Sequence, residues 1–136
     1  MREPREVLRE WVDAIHRCDA HHAASLYHDD ATNLQVAIGV PAVGKQAILD
    51  DLQVFFTAFP DSETHIESLF QEGQWAIVEW RGRGTWRGEF GGLPANGKSF
   101  ELQGCGFFHI VDGKIKFQRG YWDRASWFAQ LGIPEA

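Results

Sequence analysis

The sequence predicts an α+β domain: a cone-shaped, strongly curved antiparallel sheet with N-terminal helices packed across its concave face. Three observations predict it. Apolar residues recur at helical spacing up to residue 60 and at strand spacing after residue 62. Turn signals divide the second half into long runs that suit a meander, with Asp112-Gly113 between two apolar runs the strongest of them. Glycines are scattered through those runs, Gly82, Gly84, Gly104 and Gly106 among them, where an isolated glycine marks a bulge or a bend. Helices first and strands after is the order of helices laid on one face of a sheet. A sheet bent this strongly encloses a conical cavity, with Trp11 and Phe55 or Phe56 of the helices as its lid or wall.

The elements follow in order. Residues 4–18 form an amphipathic helix, with Val7, Leu8, Trp11, Val12 and Ile15 on one side and Pro4 in the first turn. Asp19 breaks the pattern and caps a short helix over 21–27. A strand over 31–38 leads to a loop over 39–44, which contains Pro41. Ile48, Leu52, Phe55, Phe56 and Phe59 mark a third helix, stopped by Pro60. Asp50 and Asp51 point in diverging directions on it and read as solvated surface. Strands are expected over 65–70, 75–86, 99–111 and 114–122. A closing helix over 124–131 ends at Gly132 and Pro134. Neither repeats nor linkers interrupt residues 1–136, which read as a single domain.

Composition narrows the function. A formal charge of -6 argues against nucleic acid or an anionic membrane surface as partner. No apolar run approaches the roughly 18 residues of a membrane span, and the N-terminus does not resemble a signal peptide, so a cytoplasmic protein is the expectation. Cys18 and Cys105 are too few and too far apart for a zinc pattern, and free thiols are the simpler reading of them. His16, His21, His22 and His28 lack the spacing of a metal motif and are read as helix surface, so no metal is expected. Ten Phe, six Trp and two Tyr exceed what a plain core of this size needs, and some of them can line a cavity for a flat apolar ligand.

Alternation along the hairpin suggests where chemistry sits. Cys105, Phe107 and His109 share one face of their strand, and Phe117, Arg119, Tyr121 and Asp123 share one face of the next. If the two faces coincide, a carboxylate and an imidazole meet among aromatic rings, and Asp123 with His109 becomes the candidate catalytic pair. Asp123 also suits the N-cap of the last helix. The same parity selects Tyr121 over Trp122 as a cavity residue, admits Gln103, and puts Trp80 and Trp86 on one face as cavity walls. A carboxylate in an apolar pocket can act as base without help, so no cofactor is expected.

Several segments together resemble the SnoaL-like polyketide cyclases, which share the fold of nuclear transport factor 2. They are 84–94 (GTWRGEFGGLP), Gly97-Lys98, Gly113-Lys114-Ile115, Tyr121-Trp122-Asp123 and Gln130-Leu131-Gly132. Phe59-Pro60-Asp61 and Asp29-Asp30 with Asn33 fit the same pattern, so the likeness covers most of the chain. The resemblance implies a cone-shaped domain that closes rings by an intramolecular aldol reaction, and commonly a homodimer through the outer face of the sheet. It places the acid–base aspartate on Asp123, a pocket histidine on His109 and a pocket asparagine on Asn33. Leu34, Trp86 and Phe107 stand where the family often has His, His and Gln, which implies a more apolar cavity. The expected ligand is a small apolar or aromatic molecule carrying a carbonyl. Relatives with this fold also include isomerases, epoxide hydrolases and non-catalytic binding or dimerisation domains, and these are the alternatives.

Overall fold

The computed structural model describes residues 2–134, so residues 1, 135 and 136 of the expected domain lie outside the described residues. The element order is α1 (Pro4–His16), α2 (Ala20–Ser25), β1 (Tyr27–Gln35), β2 (Ala42–Val43), α3 (Lys45–Ala58), β3 (Glu63–Glu72), β4 (Trp75–Thr85), β5 (Ser99–Val111), β6 (Lys114–Trp122) and α4 (Arg124–Leu131). Six strands form one curved, unclosed sheet in the order β2-β1-β6-β5-β4-β3, with the helices against it, which is the expected class.

Local chemistry explains most boundaries. Pro4 opens α1, whose buried Val7, Leu8, Val12 and Ile15 form the predicted stripe. Cys18 takes φ 56°, and Asp19 accepts the His22 backbone N–H at 3.0 Å to start α2. Helix α2 stops at Ser25 rather than running to residue 27, because Tyr27 is already paired in β1 opposite Ile115. The first strand therefore spans Tyr27–Gln35, not 31–38, and the expected loop holds the short β2, paired with β1 through Thr32 and Val43. Asp112 and Gly113, at φ 51° and 77°, make the predicted tight turn between β5 and β6.

One pairing departs from a purely antiparallel sheet. Strand β1 runs parallel to β6, with Asn33 registered on Gln118 and Gln35 on Gly120. A parallel neighbour needs a long crossover. Here nearly the whole domain supplies it. The chain makes the β3-β4-β5-β6 meander and returns beside its own first strand.

The core lies between the sheet and α1 and α3. Val7, Leu8, Val12, Tyr27, Ile48, Val78, Phe108 and Ile115 form its main cluster. A second cluster, with Phe59, Trp86, Phe100, Trp127 and Leu131, closes the α4 end. Among the described residues no helix is long and apolar enough to cross a membrane.

The register fixes which residues face the helices. Val78 stands opposite Gly106, Trp80 opposite Gly104, and Phe108 opposite Gln118. Glycine in this inner layer makes room. A Cβ on Gly104 would lie 2.5 Å from the Trp80 ring, and one on Gly120 would lie 2.4 Å from Gln35 Oε1. Large side chains therefore lie flat across the sheet and leave a hollow above it.

Candidate active site

The concave face holds a cavity of about 430 Å³, within the range of small-molecule sites. Its wall is largely apolar: Trp11, Leu52 and Phe56 from the helices, Val78, Trp80, Phe100 and Phe108 from the sheet, Trp122 and Trp127 from the C-terminal end. Trp11 packs edge-on against Phe108, with centroids 4.8 Å apart. The polar lining residues fall into two groups, Tyr27, Asn33, Gln35 and Gln118 from β1 and β6, and Asp51, Ser62, Glu63, Thr64 and Arg83 from α3, β4 and around the start of β3.

The polar groups of β1 and β6 are ordered by hydrogen bonds. Tyr27, fully buried, donates its hydroxyl to Gln118 Oε1 and accepts from Trp11 Nε1–H at 3.0 Å. Burial pushes the Tyr27 hydroxyl well above the usual phenol range, outweighing the opposing effect of the Trp11 hydrogen bond, so it stays protonated. Gln35 donates Nε2–H to Asn33 Oδ1 at 2.8 Å and accepts Trp122 Nε1–H on its own oxygen at 2.9 Å.

Two carboxylates line the cavity. Glu63 is held by Arg83, whose Nη1 donates to it at 2.6 Å, and that hydrogen bond lowers the Glu63 pKa. Asp51, on α3, has no ion-pair partner among the described residues. Its residue stands exposed at the rim, yet burial of the carboxyl, followed by repulsion from Asp50, raises its pKa. Asp51 is exposed, as expected of a surface residue, and it also lines the cavity as an acid tuned toward protonation.

Four predicted residues do line the cavity: Asn33, Trp11, Phe56 and Trp80. The expected placement of the others is corrected by the sheet register. His109, Phe107 and Gln103 belong to the opposite, convex face of β5, and Tyr121 to that of β6. There His109 stacks on Trp75 at 4.7 Å, and the Arg119 guanidinium lies 5.2 Å from the Phe107 ring centroid. Gln103 is exposed and Tyr121 is 41% exposed. Trp122, not Tyr121, reaches the cavity. Trp86 is buried core, its Nε1–H bonded to the Gly88 carbonyl at 2.7 Å. Asp123 is exposed and lies outside the cavity wall, accepting the Ser126 backbone N–H at 3.1 Å as the N-cap of α4.

Tyr27, Gln35, Gln118, Trp122 and Asp51 were not selected from the sequence. Parity from Phe108 reaches Gln118 across the hairpin, so that residue had a signal. Among the described residues no group of three His, Cys, Asp or Glu side chains assembles that could hold a metal ion.

A half-open curved sheet with helices over a largely apolar hollow is the class of fold these elements define. The chain belongs to the SnoaL-like polyketide cyclase family, whose model matches residues 5–131. It is 27% identical over 132 residues to the aklanonic acid methyl ester cyclase DnrD of Streptomyces peucetius, a match covering 95% of this chain and 90% of that protein. A second such cyclase, DauD of Streptomyces sp. strain C5, is 34% identical over 74 residues, 53% of this chain and 46% of the relative. Among solved structures, a SnoaL-like protein from Jannaschia sp. CCS1 superposes with a TM-score of 0.85 at 19% identity, covering 99% of both chains. TsrD of Streptomyces laurentii superposes at 0.81 and 21% identity, covering 95% of this chain and 94% of its own. At these identities the structural likeness speaks for the fold alone.

Proposed function

We propose that this chain is a cyclase-type enzyme that takes an apolar, carbonyl-bearing small molecule into the concave cavity and closes a ring by an aldol-type reaction. The observation that carries the reading is a carboxylate without an ion-pair partner among the described residues, Asp51, lining a largely apolar cavity. Asp51 takes a proton from the carbon beside a carbonyl, and Asn33 donates a hydrogen bond to that carbonyl oxygen. The carbanion so formed attacks a second carbonyl of the same molecule, making the carbon–carbon bond. The resulting alkoxide takes the proton back from Asp51. One group serves as base and then as acid, which suits a carboxyl with a raised pKa. Family membership and the named activity of DnrD and DauD support the reaction class.

The test is turnover of aklanonic acid methyl ester, the compound in those relatives' names, followed by chromatography of the cyclised product. Cyclisation by the native chain, cut at least a hundredfold by Asp51→Asn, is the expected result, general acid–base catalysis being worth roughly 10²–10⁴ in rate. Undiminished turnover by that variant would remove Asp51 from the reaction.

A further inference from the structure

Asn33 and Gln118 are register partners on the parallel strands β1 and β6, so their side chains leave the same face of the sheet and both line the cavity. Each amide has its oxygen occupied from within the protein. Gln118 Oε1 accepts from Tyr27, which is itself engaged by Trp11. Asn33 Oδ1 accepts from Gln35, which is itself engaged by Trp122. Two relays run side by side, each from an indole N–H to a carboxamide.

The nitrogens are different. Among the described residues neither Asn33 Nδ2 nor Gln118 Nε2 donates to a protein acceptor. Gln118 is only 5% exposed, yet the fully covered side-chain atoms without a partner are Arg119 Nε and Trp127 Nε1. Gln118 Nε2 therefore opens onto the cavity. A buried amide whose oxygen is satisfied and whose nitrogen is not lacks an acceptor, and leaving it so costs stability. A bound molecule that displaces cavity water can supply one.

We propose that Gln118 and Asn33 form a two-amide oxyanion site, whose N–H groups hold one carbonyl oxygen of the bound molecule as it gains negative charge. The proposal rests on the reading of the cavity as a carbonyl-binding site and adds Gln118 as a catalytic residue. Tyr27 and Gln35 are positioning residues. Turning Asn33 over would set its N–H groups against the Gln35 N–H, and turning Gln118 over would leave the Tyr27 hydroxyl proton without its acceptor, so the relays favour both nitrogens facing the ligand. Hydrogen bonds in a chain also polarise one another, which sharpens the amides as donors. The sheet reserves the space for this: any side chain on Gly120 would displace Gln35. A pair of donors of this kind favours ketone, ester, enolate or phenolate oxygens. Fixed donors aimed at developing charge are a large catalytic effect, because they need no reorganisation during the reaction.

The test uses naphthalene and 2-naphthol as probes, with fluorescence titrations across pH. The native chain is expected to bind naphthalene and to lower the apparent pKa of bound 2-naphthol, because the anion is the better acceptor. Gln118→Met and Asn33→Ala are each expected to weaken naphtholate binding roughly tenfold, the scale of a hydrogen bond to a charged group, with naphthalene affinity unchanged. Tyr27→Phe should lose most of the pKa shift while still binding naphthalene, which a merely structural tyrosine would not do. Asn33, only half-buried, keeps the measurement decisive should Gln118→Met fail to fold. Naphthalene bound without any preference for naphtholate would overturn the oxyanion site and leave the cavity reading standing. No binding of naphthalene would remove the cavity reading and this inference with it.

Discussion

Asp50 and Asp51 are neighbours in sequence with different surroundings. Asp51 meets the cavity, where burial and the Asp50 charge both favour its protonated form. As a base it must be ionised, so activity should rise with pH through its raised pKa. Asp50→Asn removes a negative neighbour and lowers that pKa, and a pH–rate profile should show the acid limb moved to lower pH. The folded state binds this proton more tightly than the unfolded chain does. Stability therefore falls as pH rises from the unfolded pKa to the folded one. Asp51→Asn is accordingly expected to keep or slightly raise the neutral-pH Tm while turnover collapses. Asp123 behaves in the opposite way. Asp123→Ala removes the cap of α4 and should cost about 1 kcal/mol, read as a Tm lower by roughly 3 °C, with naphthalene binding unchanged. The cap was legible in the sequence, since Asp before a helical run has one local use. The cavity acid was not, because nothing local distinguishes Asp51 from Asp50.

At the scale of elements, β5 explains both the success and the misplacement. Its bounds and its turn to β6 follow from alternation and Asp112-Gly113. Its inner face is Phe100, Leu102, Gly104, Gly106 and Phe108, the outer Glu101, Gln103, Cys105, Phe107 and His109. Plain alternation, apolar inward and polar outward, selects the inner set. Choosing by reactive side chains favours the other, and His109, Tyr121 and Asp123 then fall outside together. The error is one residue of parity, and in a strand that exchanges every side chain. The parallel placement of β1 was beyond local pattern altogether, and with it the meeting of Asn33 and Gln118. The inner glycines offer a check on the packing. Gly104→Ala puts a Cβ 2.5 Å from the Trp80 ring and 2.6 Å from the Tyr121 carbonyl oxygen. Because one of these is backbone, relief requires strand movement. A loss of about 1–3 kcal/mol in chemical denaturation is expected.

At the scale of the whole molecule, the class was readable because helix-period and strand-period segments are segregated along the chain. The convex face carries Trp75, Phe107, His109, Phe117 and Tyr121 around Arg119, whose Nε is covered and without a partner among the described residues. We propose that a second copy packs on this face. Light scattering is expected to give the mass of a homodimer, and Arg119→Glu that of a monomer with its cavity intact.

The pairing of β1 with β6 has a bearing on biosynthesis. Residue 33 leaves the ribosome early and residue 118 late, so the two amides have no neighbour until translation is almost finished. Contacts so distant along a polymer are slow to close. A nascent chain stopped before Lys114 would own α1 and α3 over the hollow and most of its walls, yet not Gln118, the partner that completes the pair of donors at its floor. Ligand should therefore trap the finished fold and ignore every shorter fragment, giving a direct readout of the moment the last strand docks.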